Sequence, residues 1–216
     1  MKHWVFDLDG TLVDSSGHYD LSIQATLDKF KGGYTTDEVK LAHRYFNPVE
    51  YFVLFFPEDF VLREIIPFFM EHNCSFVNET ECFPQIIDLL SLLKSKDVTI
   101  SVWTGRDTKS AKEILKHSGI EQFVSHCVGR CCVEKSKPYP DGLIKVLSDS
   151  KSHGDEVFMI GDHVYDMQGA KAAGVKGLSV NWNNRFNENI ESLSFRHFTS
   201  VPELILWTQN YYNRIY

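Results

Sequence analysis

The chain has 216 residues, 43% of them hydrophobic and 24% charged, with a formal net charge of −7. That is enough for one good core plus a small accessory domain, in proportions ordinary for a soluble globular protein. The negative balance and the lack of a long basic run argue against a nucleic-acid or anionic-membrane surface, but leave room for a local basic pocket facing an anionic substrate.

The first element is a short apolar run, His3 to Phe6, followed by Asp7-Leu8-Asp9-Gly10-Thr11. Side chains alternate along a strand, so Asp7 and Asp9 can point the same way while Leu8 points oppositely. Two like charges that close are costly unless a cation or a shared proton relieves them. Gly10 lets the backbone turn away from the strand. Such a pair can supply a metal-assisted nucleophile beside a proton donor. A signal-peptide core here would have to contain both aspartates, so none is expected.

From about Ser16 to Glu81 there is no strand alternation. Helices are predicted around Leu21–Phe30, Asp37–Tyr45, Pro48–Phe55 and Asp59–His72, with Thr35 and Glu38 spaced as a capping box and Gly32-Gly33 breaking the first helix from the second. The apolar stretch from Tyr51 to Phe69 is interrupted by Pro57, Glu58, Asp59, Arg63, Glu64 and Pro67, so it reads as amphipathic helices and not as a membrane span. The expected organisation is residues 1–15 with 82–216 as one core and 16–81 as a helical insertion, placed to exclude water and recognise a substrate. Within the insertion His18, Tyr19, His43, Arg44 and Tyr45 are the candidates for specificity.

Strand and helix patterns then alternate. A helix at Gln85–Lys94 precedes a strand at Val98–Trp103, and a helix at Thr108–His117 stops at Gly119. Strand Phe123–Val128 follows, then a helix Asp141–Leu147 behind Pro140. Val157–Ile160 is wholly apolar, as the middle of a parallel sheet requires. Helix Val164–Ala173 ends at Gly174, strand Gly177–Val180 follows, and a last helix covers Val201–Trp207. This alternation predicts an α/β class, a doubly wound Rossmann-like parallel sheet, whose ligands bind beyond the carboxyl ends of the strands.

Polar segments fall at such ends. Thr104-Gly105-Arg106 follows Trp103, with a hydroxyl and backbone N–H groups suited to a phosphate oxygen. Arg106 could reach a distal substrate group or pair with a surface carboxylate. Lys137 precedes Pro138-Tyr139-Pro140, whose stiffness would hold the ammonium in place. Gly161-Asp162-His163-Val164-Tyr165-Asp166 follows Ile160, and the two aspartates lie one helical turn apart, offering oxygen ligands suited to Mg²⁺. His163 is expected to face outward. The five cysteines are Cys74, Cys82, Cys127, Cys131 and Cys132. Their odd number argues against a disulfide framework, and the spacing of His126, Cys127, Cys131 and Cys132 fits no common zinc pattern, so reduced thiols are expected.

Taken in this order, Asp7-x-Asp9-Gly10-Thr11, Thr104, Lys137-Pro138-x-Pro140 and Gly161-Asp162-x-x-x-Asp166 resemble the motifs of the haloacid dehalogenase-like hydrolase superfamily. The insertion sits where that family carries a helical cap. The resemblance implies that Asp7 attacks phosphorus to form an aspartyl-phosphate and that Asp9 serves as acid and then base. It implies Mg²⁺ held by Asp7, the backbone carbonyl of Asp9 and Asp162, with Asp166 in support. It also implies phosphate contacts from Thr104 and Gly105, with Lys137 neutralising charge. The second aspartate favours the phosphatase branch over the dehalogenases. The expected activity is Mg²⁺-dependent hydrolysis of a small phosphomonoester of the phosphoglycolate or sugar-phosphate class. The alternatives are a phosphosugar mutase and a non-catalytic module binding a phosphorylated ligand. A cytoplasmic monomer or homodimer acting on a small phosphorylated metabolite, with no nucleic-acid or membrane partner, completes the expectation.

Overall fold

The computed structural model describes residues 1–45, 47–182 and 189–213. Parts of the expected core at 183–188 and 214–216 therefore lie outside the described residues. The chain packs as two compact units, one formed by 1–14 with 81–216 and the other by 15–80.

The first unit is built on eight short strands. They are β1 (His3–Phe6), β2 (Val13–Asp14), β3 (Glu81–Cys82), β4 (Thr99–Trp103), β5 (His126–Val128), β6 (Val157–Gly161), β7 (Lys176–Val180) and β8 (Arg196–Phe198). Six form one sheet in the order β5-β4-β1-β6-β7-β8, and every pairing in it is parallel. β1 is central, with Phe6 registered against Val102 of β4 and Ile160 of β6. The residues that follow these three strands consequently emerge side by side, where the order of the sheet reverses. β2 and β3 pair antiparallel through Val13 with Cys82 and Asp14 with Glu81.

The second unit holds α1 (Ser16–Lys31), α2 (Thr36–Ala42), α3 (Pro48–Phe52), α4 (Glu58–Phe60) and α5 (Ile66–Cys74). α1 ends at Gly32 in the left-handed region, and α2 starts in the expected capping box of Thr35 and Glu38. The helix expected at Asp59–His72 is divided. Residues Val61–Ile65 form a wider π turn, in which the N–H of Ile66 reaches the carbonyl of Val61. Pro67 follows directly, and a proline without an N–H and with a bulky ring forces such a local adjustment. Ile23, Leu27, Tyr51, Phe52, Val61, Ile65 and Phe69 form a fully buried core here. Phe52 lies 5.0 Å from Tyr51 and 5.6 Å from Phe69 between ring centroids, both steeply tilted, which is a favourable aromatic arrangement.

The sheet is covered by α6 (Ile86–Ser95), α7 (Thr108–His117), α8 (Asp141–Ser150), α9 (Val164–Ala172), α10 (Ile190–Leu193) and α11 (Val201–Asn213). Alternation along β1 separates its two faces. Val5 packs with Trp103, Leu143, Val146, Met159 and Ala170. Trp4 faces the other way, beside Phe158 and Trp207, and its indole N–H donates to the Tyr212 hydroxyl at 3.1 Å. Burying such a side chain contributes roughly 1.5–3 kcal/mol relative to exposure. The strand expected at Phe123–Val128 is shorter than the sequence suggests, because Glu121–Phe123 forms a 3₁₀ turn before β5. β8 was not anticipated. Among the described residues no helix is long and apolar enough to cross a membrane.

Candidate active site

Asp7 follows β1 directly, and its backbone N–H donates to the Ile160 carbonyl at 2.8 Å, extending the sheet by one residue before the chain turns. The turn is made by Gly10 at φ +74°. A side chain there would be both strained and driven into the Asp162 carboxylate, so two separate constraints require glycine. Gly161 is equally restricted, since an added Cβ would collide with the Asp166 carboxylate.

Asp7, Asp162 and Asp166 each bring a carboxylate oxygen within 4.8 Å of the others. Lys137 lies among them, its Nζ 2.8 Å from Asp7 Oδ1 and 2.6 Å from Asp166 Oδ1. Lys137, Asp7 and Asp166 are all buried. The ammonium also sits 4.8 Å from the centre of the Trp103 ring. That indole is itself closely packed, because a side chain at either Gly142 or Gly169 would strike it. Thr11 donates its hydroxyl to Asp162 Oδ1 at 3.2 Å, and the N–H of His163 donates to Asp166 Oδ2 at 3.0 Å.

The electrostatics follow from burial. Desolvation holds the Asp7 carboxyl well above the usual range; Lys137 opposes this, while Asp166 and Asp162 add to it. Asp162 is pushed up to about 7, by burial first and by Asp166 next. Burial works against the Lys137 ammonium, yet Asp166 and Asp7 outweigh it and raise its pKa above the ordinary value. Three carboxylates around one ammonium leave negative charge uncompensated if all are ionised. The donor set is hard, anionic and all oxygen, which fits a divalent cation of the Mg²⁺ kind.

Thr104 stands at the end of β4, buried, with its hydroxyl oxygen accepting the Arg106 N–H at 3.1 Å. Gly105 lies between them. Arg106 turns its Nε onto both oxygens of Asp9, at 2.9 and 2.8 Å. His163 departs from the expectation. The ring is half-buried, and its Nδ1 accepts the Tyr165 N–H at 3.2 Å, capping α9. Burial lowers its pKa, which suits an acceptor role. Thr11 and Trp103 are contacts that motif reading did not single out; Thr11 was already visible as the last residue of the first motif.

The parallel sheet, the acidic cluster at its reversal point and the buried lysine define a doubly wound α/β fold with a charged, oxygen-rich site. Residues 4–180 match the family model described as haloacid dehalogenase-like hydrolase, and the chain belongs to that family. It is 28% identical over 198 residues to the pyrophosphatase PpaX of Bacillus pumilus, covering 89% of this chain and 87% of that one. It is 24% identical over 190 residues to the PpaX of Oceanobacillus iheyensis, covering 87% of each. Among solved structures, a haloacid dehalogenase-like family hydrolase from Streptococcus pneumoniae aligns with a TM-score of 0.84 at 23% identity, over 96% of this chain and 98% of that one. CbbY from Rhodobacter sphaeroides, solved in complex with phosphate, aligns at 0.78 and 17% identity, over 94% and 96% of the two chains. At these identities both alignments speak for the fold.

Proposed function

We propose that this hydrolase is a Mg²⁺-dependent phosphatase acting on a small phosphomonoester through an aspartyl-phosphate. The observation that carries this reading is the cluster of Asp7, Asp162 and Asp166 around Lys137, at the ends of neighbouring strands of a parallel sheet. The metal would be held by Asp7, the backbone carbonyl of Asp9 and Asp162, with Asp166 in support. Bound there, it would supply positive charge that lets a phosphate dianion approach a carboxylate.

The chain's own residues do the rest. An oxygen of Asp7 attacks phosphorus, forming a P–O bond as the bond to the leaving oxygen breaks. Asp9 delivers a proton to that leaving oxygen and then takes one from the water that hydrolyses the acyl phosphate. The Arg106 guanidinium holds the Asp9 carboxylate by both oxygens and so fixes its direction. The Thr104 hydroxyl and the Gly105 N–H bind phosphate oxygens. Lys137, buried and paired with Asp7, offsets charge on the transferring group and fixes the nucleophile. Residues 16–81 are proposed as a cap domain that sets substrate choice.

The phosphoglycolate and sugar-phosphate classes come from the family resemblance, and the relatives named pyrophosphatase PpaX add a pyrophosphate as a candidate. The test is phosphate release from a panel of these compounds, with Mg²⁺ and with a chelator. Metal-dependent turnover supports the reading, and its ranking across the panel names the class. Phosphate moving between two positions of a sugar bisphosphate would favour a mutase. Tight binding of an ester by folded protein without turnover would favour a binding module.

A further inference from the structure

Two adjacent thiols, Cys131 and Cys132, are exposed on the 3₁₀ turn Arg130–Cys132 that follows β5. Both converge on one residue. Thr108 Oγ1 lies 3.3 Å from Cys131 Sγ and 3.0 Å from Cys132 Sγ. The Thr108 N–H, at the first turn of the ten-residue α7, donates to Cys131 Sγ at 3.4 Å. The turn is fixed against that helix by its backbone. The N–H of Gly129 donates to Thr108 Oγ1 at 3.2 Å, and the N–H of Arg130 donates to the Arg106 carbonyl at 2.8 Å. A side chain at Gly129 would collide with Thr108 and with the Arg106 carbonyl, so the close approach is built into the sequence. The mechanism above uses none of these thiols.

We propose that Cys131 and Cys132 form a two-thiol chelating site for a soft, thiophilic trivalent arsenical. Adjacent sulfurs gathered on one hydroxyl offer two bonds from one preformed locus, and soft centres select thiolates over the oxygen donors of the acidic cluster. The neighbouring hydroxyl and amide N–H stabilise sulfur as the thiolate, the form that binds. In keeping with this, Cys131 is held below the ordinary thiol value by the Thr108 hydroxyl and then by its N–H. Burial pushes Cys82 and Cys127 up to about 11, which leaves them inert. Reaction with an organoarsenic oxide forms two As–S bonds and breaks the As=O bond. The two thiol protons leave with that oxygen as one water, and nothing is oxidised or reduced.

Phenylarsine oxide, with two exchangeable valences, is the probe. The reduced full-length protein is titrated and followed by native mass spectrometry and by counting free thiols. The expected result is one arsenical per chain, two of the five thiols lost together, retention against excess glutathione and release by a dithiol. Cys131→Ser and Cys132→Ser should each weaken retention by about 10²-fold or more, the gain of a second linked contact. Cys127→Ser should leave it unchanged, and circular dichroism checks that each variant is folded. An adduct that survives in both serine variants, or one that consumes Cys82 or Cys127, overturns the proposal. None of these readouts depends on phosphatase activity.

Discussion

Replacing Lys137 with methionine removes an ammonium that touches both Asp7 and Asp166 while keeping an unbranched apolar stem beside Trp103. The loss is large because neither carboxylate can rehydrate: both are buried. Breaking a buried ion pair by deleting one partner costs about 3–5 kcal/mol, a substantial share of the roughly 5–15 kcal/mol that stabilises a domain. The cost also has a pH signature. Asp7 is already held above the usual carboxylate range, and without Lys137 it is driven higher still. The unfolded state then binds fewer protons than the folded one, so stability falls as pH rises. Lys137→Met should therefore be most destabilised at neutral and alkaline pH and recover as Asp7 is protonated on acidification. Urea unfolding with chelator present, at several pH values, reads this directly as a shift in midpoint at unchanged slope. A variant as stable as the parent at pH 8, or one whose deficit is the same at every pH, would refute the reasoning about buried charge.

At the opposite end of β1, His3 is buried between Ser101 and Ser152, 2.8 and 2.9 Å from its ring nitrogens, and burial lowers its pKa to about 4. The folded state resists its protonation, so its contribution is full above pH 6.5 and lost as pH falls from there to about 4. The loss reaches about 3 kcal/mol, and His3→Gln should flatten that part of the stability profile. In the helical unit, Phe52→Ala should cost about 3–5 kcal/mol. Limited proteolysis should then cut first within 15–80, and a cleavage pattern identical to the parent's would count against the aromatic core.

Much of the core was legible because its signals are strong and local. β6 opens on four apolar residues, and β1 and β4 are largely apolar with His3, Thr99 and Ser101 as their polar members, as a sheet buried on both faces requires, and a carboxylate or hydroxyl directly after each strand marks its carboxyl end. What stayed hidden depends on three dimensions. Arg196-His197-Phe198 carries no strand pattern, yet β8 forms because it can add to the open edge of β7. Nothing in the spacing of Asp9 and Arg106 says that they meet; only the parallel pairing of β1 with β4 brings them together. His163 reads as a surface residue until its ring is seen capping α9. Lys137 was legible as a cation held near the first aspartate pair from the two prolines that follow it, but its pairing with Asp166 was not.

The central claim is that Asp7 becomes phosphorylated during turnover. It is tested most directly by acid-quenching the enzyme while it hydrolyses the best substrate of the panel and reducing with borohydride, which converts an acyl phosphate to an alcohol. Peptide mass spectrometry then locates the reduced residue. The account predicts that Asp7 alone is converted to homoserine, that the conversion needs Mg²⁺ and substrate together, and that Asp7→Asn shows neither conversion nor turnover. Sustained turnover with Asp7 unreduced, or reduction at another carboxylate, would contradict it.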